Sequence, residues 1–274
     1  MNRLPHFIII GAMKAGTTSL YHYLQRHPEI AMSKVKETDF FLEGNVHQGL
    51  KWYRRQFPKD DRIKGEASPN YTKYPAQKGV AERIHQILPG VKLIYVLRDP
   101  VSRIVSHAHH NLLKTDLTRE DLFEKLKNPR AHLINCSRYY LQLEQYLQWF
   151  SPEQILIATT EELNADRKST LKKIFQFIGV EQTDFYDPQY DRSRHTSFGR
   201  RKICNALIRK KLRNTPYYNF VASRLHWLIP SQKVDKPQLP GDLEKHLEQV
   251  LRDDVHKLRE FTGRDFQEWK YNYR

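Results

Sequence analysis

The sequence predicts an α/β protein. Its architecture is a parallel sheet flanked by helices, in a single domain over residues 1–274 with a basic, helical C-terminal extension from about residue 191. Three observations carry this expectation. The chain opens with a β-branched apolar run that ends in a glycine-containing loop and passes directly into a helical pattern. Two later apolar runs, 91–97 and 155–159, are separated by helical segments, as parallel strands require. The 274 residues, 39% hydrophobic and 12% aromatic, suffice for a real core and exclude a disordered chain.

In order along the chain, Phe7 to Ile10 reads as a buried strand ending at Gly11. Leu20, Tyr21, Tyr23 and Leu24 follow at helical spacing, and Pro28 stops that helix. Short extended pieces around Ile30 and from Ile63 to Ala67 are candidates to widen the sheet. Val91 to Leu97 is the second strand, with Asp99 as N-cap and Pro100 as first residue of the next helix. A helix from about Leu133 to Phe150 leads into the third strand, Ile155 to Thr159. After Gly179 the character changes. Residues 191–213 are densely basic, 217–230 are aromatic and apolar, and an amphipathic helix from about Leu243 to Phe261 closes the chain.

Composition narrows function. Lys and Arg number 46 against 31 Asp and Glu, a net charge of +15, which points to an anionic partner such as a nucleotide, a nucleic acid, a sulfated or phosphorylated substrate or a lipid headgroup. No recognition-helix or RNA-binding motif accompanies the charge, so no specific nucleic acid is expected. The two cysteines, Cys136 and Cys204, exclude a disulfide framework or a four-cysteine zinc site and read as reduced thiols of a cytoplasmic protein. No apolar run approaches the ~20 residues of a membrane helix, and the start lacks a signal peptide's long apolar core. The 217–230 segment is amphipathic enough for peripheral membrane contact, although a core helix or a lid fits the same pattern.

Two motifs carry chemistry. The first is Gly11-Ala12-Met13-Lys14-Ala15-Gly16-Thr17-Thr18-Ser19 between strand and helix, where backbone amides and the helix dipole favour an anion. Gly11, Gly16 and Thr18 keep the spacing of the ATPase phosphate loop, so the sheet is expected to be of P-loop type. Thr17 stands where that pattern has its lysine, and the lysine sits inside the loop at Lys14, nearer a group attached to the first phosphate. The second is Arg98-Asp99-Pro100-Val101-Ser102-Arg103-Ile104-Val105-Ser106. Arg98 ends a strand, where open α/β sheets bind ligands, and Arg103 and Ser106 share a helix face. An Arg and a Ser converging there suit a second phosphate; an Arg98–Asp99 pair and a serine bonding back to its own helix fit equally.

Taken together, these motifs resemble those of sulfotransferases that use 3′-phosphoadenosine 5′-phosphosulfate (PAPS), most closely the heparan sulfate sulfotransferase branch and its bacterial relatives. Lys36-Glu37-Thr38-Asp39-Phe40-Phe41, Gly65-Glu66-Ala67-Ser68-Pro69-Asn70-Tyr71 and Leu258 through Trp269 fall in the family's order. The resemblance implies that Lys14, Ala15, Gly16, Thr17, Thr18 and Ser19 bind the 5′-phosphosulfate and that Arg98 and Ser106 bind the 3′-phosphate. It implies sulfuryl transfer from PAPS to an acceptor without a metal, the product being PAP. The acceptor class it suggests is a carbohydrate hydroxyl, with a lipid-linked sugar or another small molecule as further candidates. Lys14 is the expected stabiliser of the leaving phosphate. Glu37 is the expected general base, its pKa raised by an apolar setting beside Phe40 and Phe41; a surface ion pair is the plain alternative. Glu66 ranks second, and Ala67 stands where some heparan-type enzymes carry a lysine. A P-loop kinase and a non-catalytic polyanion binder are the competing functions. His107, His109 and His110 lie on one helix, expected to be partly solvated or near the acceptor, with no metal-ligand spacing.

Overall fold

A strand covered on both faces needs an unbroken apolar run, and β1 (Phe7–Gly11) is such a run with every residue buried. It takes the centre of a five-stranded sheet, described by a computed structural model in which residues 3–115, 117–191, 200–202 and 231–273 are placed. The strand order is β2 (Ile30–Met32), β3 (Ile63–Ala67), β1, β4 (Lys92–Leu97), β5 (Ile155–Thr159), and all pairings are parallel. Ile8 lies opposite Glu66 on one side and Leu93 on the other. Both short pieces read from the sequence therefore join the sheet.

The flanking helices are α1 (Thr17–Gln25), α2 (Gly49–Arg54), α3 (Val80–Ile87), α4 (Pro100–Lys114), α5 (Arg119–Lys127), α6 (His132–Asn135), α7 (Tyr139–Leu147), α8 (Thr160–Ala165) and α9 (Arg167–Ile178). A short antiparallel pair follows, β6 (Arg200–Lys202) and β7 (Ser231–Lys233), and α10 (Gly241–Thr262) closes the order. Pro100 opens α4, and the Asp99 carboxylate accepts from the Ser102 amide at 2.7 Å, as an N-cap should. In α10, Leu243, Leu247, Leu251, Val255 and Leu258 are buried at helical spacing.

One expected element is divided. The helix anticipated from Leu133 to Phe150 is α6 and α7, broken at Cys136–Arg138. The reason lies outside the segment's own pattern. The Ser137 hydroxyl is drawn to α4, accepting from Arg103 Nε at 2.5 Å and donating to the Pro100 carbonyl at 3.0 Å. The new start of α7 is closed by Asp254 from α10, whose carboxylate accepts from the Tyr140 and Leu141 amides at 3.0 and 2.9 Å.

After α10 the chain turns back to the sheet. Phe266 and Trp269 stack at 4.3 Å between ring centroids, the Tyr271 amide donates to Asp99 Oδ2 at 3.2 Å, and so does the Tyr273 hydroxyl. Cys136 is a buried free thiol. Cys204, the 217–230 segment and most of the basic run, Arg192 and Lys210 among it, lie outside the described residues. Among the described residues no helix is long and apolar enough to cross a membrane.

Candidate active site

The loop after β1 is built by two close approaches. A Cβ on Gly11 would lie 2.0 Å from Thr72 Oγ1, so only glycine lets the strand end pass the turn beyond β3. Gly16 takes φ +84°, a conformation costly for any other residue type, immediately before α1. Lys14 also holds a positive φ, 72°. The loop is tied to the sheet by the Thr160 hydroxyl, 2.8 Å from the Ala15 carbonyl and 3.0 Å from that of Leu97. α1 has no side-chain cap, and the amides of Gly16, Thr17, Thr18 and Ser19 meet no acceptor among the described residues. They are the orphan donors that an anion satisfies.

Arg98, at the end of β4, stands close enough to Lys14 that its charge, after burial, lowers the lysine's pKa. Among the described residues neither cation forms an ion pair, although the Glu161 carboxylate feels Arg98. Asp99 is not its partner. That carboxylate is turned to Ser102, Tyr271 and Tyr273, which removes the Arg98–Asp99 alternative left open above. Two cations without an ion pair among the described residues, beside four amides without an acceptor among them, suit an anion. Ser106 lines the same cavity, but Arg103 does not join it. Arg103 is fully buried, donating to Ser137, to the Met13 and Leu133 carbonyls and toward His107, so it braces the loop from below. The cavity holds about 610 Å³, and Lys14, Glu37, Arg98, Ser106, His110 and Thr160 all line it. That volume and donor set fit a nucleotide carrying two separated phosphates.

The two acids behave differently from expectation. Glu37 reaches the cavity wall with a side chain 45% exposed, and it pairs with Lys36 at 2.5 Å. The apolar setting inferred for it belongs instead to Glu66. Phe40 and Phe41 are buried against Tyr53 and Tyr71, and Glu66 is wholly enclosed behind them, accepting from the Thr38 hydroxyl at 2.6 Å. Burial pushes the Glu66 carboxyl up to about 7, against the Thr38 hydrogen bond. Its Oε1 and the Tyr53 hydroxyl are buried without a hydrogen-bond partner. Of the three helix histidines, only His110 lines the cavity. His109 is buried against the Val234 carbonyl, and His107 is buried and pushed down to about 2 by burial and the Arg103 charge. Among the described residues no cluster of His, Cys, Asp and Glu is arranged to hold a metal ion.

A parallel sheet with a glycine-containing loop after its central strand and a cation at the end of the neighbouring strand is a layout shared with nucleotide-binding α/β folds. Comparison with known proteins narrows the class. The model of the sulfotransferase domain matches residues 4–258, so the chain belongs to the sulfotransferase family, whose sulfuryl donor is PAPS. Human heparan sulfate glucosamine 3-O-sulfotransferase 3B1 is 30% identical over 279 residues, covering 96% of this chain and 65% of that protein. The membrane-associated sulfotransferase kil1 of Dictyostelium discoideum is 40% identical over 157 residues, 54% of this chain and 32% of that one. The crystal structure of a sulfotransferase from Alicyclobacillus acidocaldarius superposes with a TM-score of 0.69 at 25% identity, over 97% of this chain and 99% of that one. The chain spans less than two thirds of the length of the curated relatives it matches, 65% in the heparan enzyme above and 22% in a fruit-fly relative.

Proposed function

We propose that this chain transfers a sulfuryl group from PAPS to an acceptor hydroxyl, with a carbohydrate as the acceptor class and Glu37 as the general base. The observation that carries the reading is one cavity lined at once by Lys14, Arg98, Ser106 and Glu37. The α1 amides would hold the 5′-phosphate, with Lys14 beside the bridging oxygen, while Arg98 and Ser106 hold the 3′-phosphate. Bound there, the donor supplies an activated sulfuryl group. Glu37, whose half-exposed side chain reaches the cavity wall, takes the acceptor's proton. Lys14 meets charge as it builds on the departing phosphate oxygen. Similarity to a heparan sulfate glucosamine 3-O-sulfotransferase supports the carbohydrate. Family membership and the placement of Lys14 within the loop support sulfuryl transfer over a kinase. The free Cys136 thiol is in keeping with a cytoplasmic setting.

Thermal unfolding tests the donor site. At 100 times its dissociation constant PAP adds ~2.7 kcal/mol, a rise of roughly 5–10 °C for a chain of this size, and the rise is expected to survive EDTA. A shift with ATP and Mg²⁺ but none with PAP would sink the reading. For the base, Glu37→Gln is expected to lower transfer by roughly 10²–10⁴ while leaving the PAP shift intact. A variant near the wild-type rate removes Glu37 from that role.

A further inference from the structure

The turn after β3 presents a lysine that neither motif includes. Pro69 lines the cavity, and four residues on Lys73 is half-buried with its backbone pinned on both sides. The hydroxyl of buried Thr72 donates to the Ile10 carbonyl at 3.3 Å. The Tyr74 amide donates to Gln142 Oε1 at 2.7 Å, and Gln142 Nε2 donates back to the Tyr74 carbonyl at 2.8 Å. Gln142 is itself buried. A backbone held in this way fixes where the side chain emerges.

The ammonium so presented has no hydrogen bond or ion pair to a described residue, and burial lowers its pKa. Glu37 and Asp39 lie within electrostatic reach of it, but each has another partner, Lys36 at 2.5 Å and Asn70 at 2.7 Å. Cys136, Arg103, His107 and His132 are also within its electrostatic reach, and none supplies an anion: burial raises the pKa of the Cys136 thiol, and the others are cationic or neutral. Lys73 is not itself part of the cavity wall, but His110 and Glu37, which are, both lie within its electrostatic reach, and His110 feels Lys14 as well. An enclosed cation without a committed anion is poised for one that arrives with substrate.

We infer that Lys73 is a second active-site cation, contacting the sulfuryl oxygens of the donor. The inference rests on the proposed reading of the cavity. During transfer the bond from sulfur to the phosphate oxygen breaks as the bond to the acceptor oxygen forms. The acceptor's proton goes to Glu37, the departing electron pair stays on the phosphate, and Lys73 keeps its proton throughout. Its place is against oxygens that are negative before, during and after transfer and that PAP lacks.

That difference gives a test needing no acceptor. Calorimetry measures the affinities for PAPS and PAP in wild type, Lys73→Met and Lys73→Arg. Lys73→Met is expected to bind PAP within about twofold of wild type and PAPS roughly tenfold or more weakly, with most of the loss restored in Lys73→Arg. An unchanged PAPS-to-PAP ratio in Lys73→Met, with wild type binding both, overturns the role of Lys73 and leaves the proposed function standing. Wild type that binds neither nucleotide overturns both. Lys73→Gln, with its polar stem, gives the same reading if Lys73→Met does not fold.

Discussion

Glu66 shows how much a single side chain's surroundings depend on what the tertiary fold places beside it. Phe40 and Phe41 point to an apolar setting for a nearby acid, and such a setting exists. The sequence does not say which acid occupies it. Glu66 lies on β3, between β2 and β1, where both faces are covered and alternation carries no inside–outside signal. Lys73 was hidden for a related reason, since its value comes from Gln142 gripping Tyr74 across 68 residues. The loop between β1 and α1, by contrast, was legible, because Gly11, Lys14, Gly16 and the hydroxyls are contiguous. The raised pKa of Glu66 makes a sign-definite prediction. Between the ordinary 4.5 and about 7 the folded state holds a proton that the unfolded state has lost, so stability falls as pH rises through that window. Above it the ionised, enclosed carboxylate carries a penalty on the order of 3 kcal/mol. Glu66→Gln keeps an acceptor for Thr38 and carries no charge. Denaturant unfolding at pH 5 and pH 8.5 is expected to show the variant near wild type at the lower value and more stable at the higher. A difference that does not vary with pH would contradict this account.

At the scale of elements, the five strands of the parallel sheet and the helices that begin at a motif were read correctly, because apolar runs, Asp99-Pro100 and the spacing of Leu243 to Leu258 are local signals, whereas the short β6–β7 pair was not anticipated. The break between α6 and α7 was not readable. Ser137 leaves the helical pattern to serve Arg103 and Pro100, and Asp254, over a hundred residues away, provides the cap that lets α7 begin again. Asp254 thus joins α10 to α7, and burial pushes its carboxyl up to about 6. Replacing it with Ala strands two amides at the α7 terminus, with an expected loss of about 1–3 kcal/mol. The drop would be read as a lower Tm with the PAP dissociation constant unchanged, since α7 supplies no cavity residue. Loss of PAP binding in a folded Asp254→Ala protein would show that this joint reaches the nucleotide.

For the whole molecule, the C-terminal segment closes onto the end of β4. Tyr273 accepts from the Val101 amide at 3.2 Å and donates to Asp99 at the same distance, one residue from Arg98. The aromatic residues near the end announce a packed segment, but no periodicity reports a contact across more than 170 positions. Tyr273→Phe keeps the ring and leaves a buried amide and a buried carboxylate each short of a partner, at a cost of about 1–3 kcal/mol. Both Tm and PAP affinity are expected to fall. If only Tm falls, the segment stabilises the fold without shaping the grip of Arg98. The sheet order has a further consequence. Glu37 and Pro69 reach the cavity from the β2–β3 side of the central strand, whereas Arg98, Ser106 and Thr160 reach it from the β4–β5 side. One flank can diversify while the other stays under constraint. Under the proposed reading, a lineage with this layout can acquire new sulfated products through drift in residues 34–77 that spares Glu37 and Lys73, and chimaeras exchanging that interval with both residues kept are the natural way to retrace such a history.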